Sequence, residues 1–366
     1  MSARVAVLGA GLMGRLLALA LARAGHAVDV FERGTADAAD SAAHVAAAML
    51  APLAESVDAE PLVVDMGQAS LVRWPELLVD LPQPVFFQQN GTLVVWHAQD
   101  RDQAVRFGRS LARLDATLPA SERVQSLAGA ELAALEPALG QRFPRGYYLP
   151  GEGQLDNRAL LAALGAALQA APVRLHWQHE VTPDRLEADW IIDCRGLGAK
   201  PHWPSLRGVR GEVVRVWAPD VPLSRPVRLL HPRYPLYIAP KPEGVHVIGA
   251  TQIESEDTSP ASVRSALELL SALYSVHPAF GEARILEMMS HCRPALPDNR
   301  PEIRWDGRRL IQINGLYRHG FLIAPAMLDA AMALIRQLMT TPTAEAFSDW
   351  RSAQRWSSIY HLKEAA

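Results

Sequence analysis

Arg4-Val5-Ala6-Val7-Leu8-Gly9-Ala10-Gly11-Leu12-Met13-Gly14 is the stretch on which the fold class turns. Arg4 to Leu8 predicts a buried strand, Leu12 to Ala24 a helix, and Ala27 to Phe31 a second strand ending at Glu32, which together make a β-α-β unit. The spacing Gly9-x-Gly11-x-x-Gly14 falls between strand and helix. There the first glycine permits a tight turn, the second lets backbone approach a pyrophosphate, and the third lets helix and strand pack closely. The helix N-terminus adds free N–H groups and a partial positive charge. Glu32 stands where an acid accepts hydrogen bonds from a ribose diol. The expectation is an α/β, Rossmann-like domain holding an adenine dinucleotide, with Leu12, Met13 and Arg33 beside these residues in the same candidate site.

Working outward, an alanine-rich helix is expected over Ala43 to Leu53, another near Gln68 to Leu78, and a strand over Gly91 to Trp96. Charged helical patterns between Asp100 and Leu139, punctuated by Pro119 and Pro137, read as an insertion. A helix over Asn157 to Ala170 and strands near Val173 to Trp177 and Trp190 to Asp193 return the chain to its first domain. From Arg210 to Thr251, strands broken by Pro and Gly suit a mostly antiparallel sheet, and a helix over Ala261 to Tyr274 follows. Leu310 to Asn314, the loop Gly315 to Gly320 and a helix from about Leu322 to Met339 repeat the strand-turn-helix logic of the N-terminus. The economical architecture has a dinucleotide domain of residues 1–80, 145–205 and 296–350. A substrate domain of residues 81–144 and 206–295 is inserted into it, and 351–366 form a C-terminal tail.

The 366 residues suit two domains, and 36 basic against 39 acidic residues without a like-charge run point to neither nucleic acid nor membrane as a partner. The longest apolar segment, Leu12 to Ala22, is broken by Arg15 and is short of the ~20 residues that span a bilayer. No export signal is visible. With only Cys194 and Cys292, a reducing cytoplasm is the expected compartment. His176 and His179 lack a carboxylate-rich context and read as structural or surface residues, so no metal site is expected.

FAD and NAD share the glycine fingerprint, and other segments separate them. Ala46-Ala47-Ala48-Met49-Leu50, followed by Glu55, resembles the segment that covers the flavin in the D-amino-acid oxidase and glycine oxidase family, although that family usually has glycine where Ala48 stands. Further similarities run through Gly91-Thr92-Leu93, Pro150 to Asp156, Arg207 to Glu212, Tyr237 to Lys241, Ile248 to Thr251, Cys292-Arg293-Pro294 and Gly315 to Pro325. In order and spacing they cover nearly the whole chain. They are most similar to the glycine oxidase branch associated with thiamine biosynthesis.

The resemblance implies FAD as cofactor, covered by Ala47, Ala48 and Met49, with Val181 and Gly196 as further contacts. Leu316, Tyr317, Arg318, His319, Gly320, Phe321 and Leu322 would run along the flavin. There Gly315 and Gly320 allow close approach, and a helix N-terminus meets the negative charge that a reduced flavin gathers. It also selects Arg293 and Tyr237 as a carboxylate clamp, since a guanidinium holds a carboxylate by two parallel hydrogen bonds and a phenol adds a third. Arg318 is either a second substrate contact or a charge beside the flavin.

The implied reaction is oxidation of glycine or another small amine by molecular oxygen to the keto acid, ammonia and peroxide, with no dedicated base required. The imine would feed thiazole formation, so thiazole synthase is an expected partner, and a homo-oligomer is expected. Sarcosine or D-amino acids are alternative substrates, with the preference set near Gln252, and an NAD-dependent dehydrogenase is the alternative from another class. Cys292 lies close to where related sarcosine oxidases attach flavin covalently, but noncovalent FAD is favoured. No equivalent of their oxygen-activating lysine is visible, because Lys241 sits in a Pro-Lys-Pro turn.

Overall fold

Val5 to Leu8 are buried, and their strand, Arg4–Leu8, is flanked on both sides by parallel neighbours, Ala27–Phe31 and Trp190–Asp193. Helices cover one face, and Val181, Leu186 and Ala188 pack against Ala6, Leu8 and Ile191 on the other, so both faces are buried and the strand reads as a continuous apolar run rather than an alternating one. The computed structural model describes residues 2–363 except 116, 117, 141 and 234. In it, Arg4–Leu8 belongs to a seven-stranded sheet with the spatial order Tyr360–Leu362, Glu302–Trp305, Leu310–Asn314, Trp190–Asp193, Arg4–Leu8, Ala27–Phe31, Val173–His176. Tyr360–Leu362, within the segment expected as a tail, supplies the edge strand of this sheet. Ile359 and Tyr360 are buried there, in a run too short to announce itself by periodicity.

The apolar helices Leu12–Arg23, Asn157–Ala170 and Gly320–Thr340 pack on this sheet, and Pro61–Val79 lies against Gly320–Thr340. The longest apolar segment is therefore Gly320–Thr340 and not Leu12 to Ala22. By length and composition alone it could cross a membrane, but most of it is buried in the protein's own core.

The expected Ala43 to Leu53 helix is broken into a short helix Ala42–Val45, a strand Met49–Leu50 and a short helix Pro52–Glu55. Alanine favours a helix here, but tertiary contacts override that weak preference. Asn157 Nδ2 donates to the carbonyls of Ala43 and His44 at 2.9 and 2.8 Å, and Met49–Leu50 pairs with Gly153–Leu155. Pro52 then starts a new helix, where its missing N–H costs nothing. Ala48 takes a φ of +52°, a left-handed conformation that explains the glycine usual at this position. Ala48→Gly is expected to raise stability by about 0.5–1 kcal/mol, visible as a small increase in Tm.

The second sheet has eight strands in the order Arg284–Ala295, Arg207–Trp217, Val245–Gly249, Leu236–Pro240, Val227–Leu230, Thr92–Trp96, Arg145–Leu149, Gln125–Ala128. All neighbours are antiparallel except Val227–Leu230 with Thr92–Trp96, so the sheet is mostly antiparallel as expected. Arg145–Leu149 belongs here rather than to the dinucleotide layer, which moves the crossing point to the Gly153–Leu155 strand. That strand, with Met49–Leu50 and Phe87–Gln88, forms a small third sheet.

His246 is buried in the second sheet, edge-on to Phe280 at 5.4 Å, and burial pushes its pKa down to about 4. The unfolded chain therefore binds a proton between about pH 6.5 and pH 4 that the folded chain refuses, and stability falls as pH drops through that window. His246→Phe is expected to gain about 2–3 kcal/mol relative to the parent on going from pH 7 to pH 4, read by urea unfolding at both pH values. A pH-independent difference would contradict it.

Candidate active site

A cavity of about 960 Å³ runs from the glycine turn to the face of the second sheet. At one end Gly9 has a φ of +88°, and a side chain there would strike the backbone of Cys194 and Arg195 at 2.9 Å. A Cβ on Gly14 would lie 1.8 Å from the Gly9 carbonyl oxygen, so Gly14 serves helix-strand packing and does not itself line the cavity. Gly11 is different: a Cβ there meets no protein atom within 4 Å, because the position faces open cavity. Glu32 accepts from the N–H groups of Ala10 and Gly34 at 2.6 and 2.8 Å, which fixes its carboxylate at the cavity wall beside Arg33. Arg15, which interrupts the apolar helix pattern, is buried and donates to the Ala10 carbonyl at 2.7 Å, bracing the turn from behind. Val181 lines a small side pocket with Glu32, Arg33 and His179 rather than the main cavity. His176 stacks on Phe31 and bonds Asp29, and among the described residues no metal-binding group is found.

Ala47, Ala48, Met49 and Gly196 line the middle of the cavity, and Leu316 to Leu322 line its far side. Gly315 has a φ of +78°, and the helix begins at Gly320, two residues earlier than the sequence indicated. The helices Leu12–Arg23 and Gly320–Thr340 both open on the cavity, and neither has a side-chain cap nor an acid in its first turn. Pro61–Val79 also lacks a side-chain cap, whereas Ser41, Asp156, Ser262 and Thr343 cap their helices. Two uncapped N-termini on one long cavity leave unpaired donors and two partial positive charges for an elongated anionic group. This is a fit to a dinucleotide with a second electron-rich end.

At that end the second sheet presents Arg293 and Tyr237 on one face. The Arg293 guanidinium lies over Gly211, where a Cβ would stand 2.2 Å from Nη2. Tyr237 lies over its cross-strand partner Gly249, where a Cβ would stand 2.6 Å from the hydroxyl. Arg293 Nη1 donates to the Thr251 carbonyl at 3.2 Å, and among the described residues no carboxylate lies within ion-pair distance of this guanidinium. Burial pushes the Tyr237 phenol up, so it stays protonated as a donor. Cys292 contributes to the cavity lining, but its Sγ is directed to the carbonyls of Ser255 and Asp257 at 3.6 and 3.5 Å, and burial keeps the thiol protonated.

Arg318 is committed elsewhere. It meets Glu55 at 2.9 Å, Asp58 at 3.3 Å and Gln252 Oε1 at 3.3 Å, and Glu55 also meets Arg228 at 3.0 Å. Burial pushes the Glu55 pKa up, but Arg318, Arg228 and His319 outweigh it and hold the group at about 2. His319, pushed down to about 4 by burial, is neutral at pH 7. Glu55→Gln is expected to cost about 1–3 kcal/mol at pH 7, a cost that narrows as pH falls below about 4.5 toward the folded pKa of about 2. Urea unfolding at pH 7 and pH 4 reads both numbers.

Comparison with known proteins identifies the family. The profile of the FAD dependent oxidoreductase family DAO matches residues 4–331. The chain belongs to the DAO family of FAD dependent oxidoreductases. A Rhizobium etli protein named as a thiamine biosynthesis oxidoreductase, ThiO, is 43% identical over 338 residues, covering 92% of this chain and 97% of that one. A glycine oxidase from Geobacillus kaustophilus is 28% identical over 88% of this chain and 89% of its own. The crystal structure of glycine oxidase from that organism superposes with a TM-score of 0.77 at 26% identity, covering 92% and 95% of the two chains. Membership in the DAO family makes this chain an FAD-dependent oxidoreductase and sets aside the nicotinamide-dependent reading.

The structure brings the glycine turn and the Arg293–Tyr237 pair, both singled out in the sequence, to one cavity. Sequence reasoning missed Gly211 and Gly249, which lie in strands with no turn to announce them. It also missed the partners of Arg318. Glu55 was visible only as part of a similar segment, and Arg228 and Asp58 carried no local signal.

Proposed function

We propose that this enzyme oxidises glycine to the imine, which water converts to glyoxylate and ammonia while oxygen becomes hydrogen peroxide. The observation that carries the reading is the Arg293 guanidinium, which has no carboxylate partner among the described residues, beside the protonated Tyr237, both lying on bare glycines at one end of the cavity. A guanidinium free of protein carboxylates is matched to a substrate carboxylate, which it grips by two parallel bonds while the phenol donates a third. FAD, when bound, supplies the two-electron acceptor. The chain's own residues orient the α-carbon, and the Glu55–Arg318 pair closes the adjoining wall with little net charge. With Arg318 engaged by Glu55 and Asp58, its role is a charge beside the cofactor rather than a second carboxylate contact.

In this reading, Gly9, Gly11, Glu32, Arg33 and the first turn of Leu12–Arg23 hold the ADP part. Ala47 to Met49 and Leu316 to Leu322 lie along the flavin. The seven-stranded layer carries the cofactor and the eight-stranded layer the substrate. The Cys292 thiol, protonated and directed to the Ser255 and Asp257 carbonyls, supports noncovalent FAD. Sarcosine and D-amino acids are the second reading, kept because Gln252 lies at the cavity edge. A panel of glycine, sarcosine, D-alanine and D-proline, followed by peroxide release, tests the choice. Turnover of D-proline with none of glycine would sink it.

Bifunctional ThiO/ThiG proteins of Synechocystis and Nostoc, of which this chain spans 54% and 58%, support thiazole synthase as the consumer of the imine. A cytoplasmic location suits the two free thiols. A homo-oligomer suits the exposed Val263, Leu267 and Tyr274 of helix Val263–Val276, and light scattering of the purified protein reads it directly.

A further inference from the structure

Lys241 follows the strand Leu236–Pro240 of the second sheet, and its side chain is buried rather than turned to solvent. Its Nζ reaches the Ala47 carbonyl at 2.9 Å, the Leu155 carbonyl at 2.7 Å and Gln154 Oε1 at 3.2 Å. Three N–H groups of an ammonium thus meet three oxygens, a full complement for the protonated amine. Such a group in the interior is costly unless satisfied in this way. Burial lowers its pKa to about 7, with Asp156 opposing the shift and Arg215 adding to it, so the ammonium persists on the acid side of neutrality.

The amine does not line the cavity. Ala46 to Met49 do. In a trans peptide the carbonyl and the following N–H point in opposite directions. Holding the Ala47 carbonyl on the Lys241 side therefore turns the Ala48 N–H the other way, toward the cavity that Ala47 and Ala48 line. The next carbonyl, of Ala48, is tied back as well, accepting from Leu155 N at 3.1 Å. Ala48 itself sits at a φ of +52°, a conformation an alanine leaves unless its neighbours fix it. The charge on Lys241 also polarises the peptide it holds, making the N–H a better donor.

We propose that Lys241 is a positioning residue for FAD: it fixes the Ala47–Ala48 peptide from behind, so that the backbone donor of Ala48 is presented to the cofactor. The lysine of the second sheet thereby couples the substrate layer to the segment that covers the cofactor. This rests on the reading that Ala46 to Met49 lie along FAD, and the test separates the two.

Apoprotein is titrated with FAD at pH 6.5 by quenching of flavin fluorescence. Lys241→Met is expected to raise the FAD Kd by about 10- to 100-fold, and Lys241→Arg to recover part of that loss. In FAD-saturated enzyme the glycine KM is expected to stay within about threefold, because Arg293 and Tyr237 are untouched. An FAD Kd for folded Lys241→Met within about twofold of the parent overturns the proposal. Should Lys241→Met fail to give a cooperative melt, Gln154→Ala removes one of the three acceptors and leaves the lysine. It is expected to raise the FAD Kd about threefold, and an unchanged value overturns the proposal equally. Hydrogen exchange of the parent with and without FAD checks the underlying reading. FAD-dependent protection of residues 46–50 is expected, and its absence would overturn the placement of the segment itself rather than the role of Lys241.

Discussion

Arg293→Ala is expected to leave the protein folded and yellow while glycine loses its saturable binding, with kcat/KM falling by about 10³-fold. Two charge-assisted hydrogen bonds disappear, each worth about 1.5–3 kcal/mol. The guanidinium makes no ion pair with a described protein carboxylate, so its removal strips no partner and stability should change little. Arg293→Lys keeps the charge but not the two-point geometry, and should sit between parent and alanine variant. The measurement is the glycine concentration dependence of anaerobic flavin reduction. A KM and a reduction rate both unchanged in Arg293→Ala would remove the carboxylate clamp.

Gly211→Ala is expected to do nearly the same damage without touching a polar group. The added methyl would lie 2.2, 2.3 and 2.5 Å from Nη2, Cζ and Nη1 of Arg293, closer than real Cβ contacts come. The guanidinium is the far end of a flexible side chain and moves aside, so the fold survives. Its aim does not, and a shift of about 1 Å at a reacting geometry costs on the order of 10²-fold. kcat/KM should fall by at least that factor with the FAD Kd and Tm close to the parent's, whereas unchanged kinetics would mean that Arg293 does not work from this position.

Sequence and structure agree best where local rules are strong. Gly9, Gly11 and Gly14 between a strand and a helix, with Glu32 at the end of the next strand, are constrained by turn geometry and spacing alone, and the structure has them as read. Arg293 and Tyr237 became legible only through the similarity of whole segments, since a lone arginine or strand tyrosine has no local signature. Gly211 and Gly249 were not legible as site residues, because their purpose is the space they leave for side chains on neighbouring strands. Ala43 to Leu53 misled for a related reason. Its alanines favour a helix, but Asn157, Lys241 and the pairing with Gly153–Leu155 hold the chain otherwise. Lys241, read as a turn lysine from its two flanking prolines, is buried because those prolines set the backbone and not the direction of the side chain.

FAD and a glycine carboxylate are expected to meet between Leu316–Leu322 and Arg293. The absorbance spectrum of the purified protein, recorded without oxygen before and after adding glycine, tests it most directly. The prediction is a flavin spectrum that bleaches on glycine and returns when air is admitted, with peroxide formed. A flavin spectrum that glycine leaves unchanged, in protein that dithionite still bleaches, would contradict it.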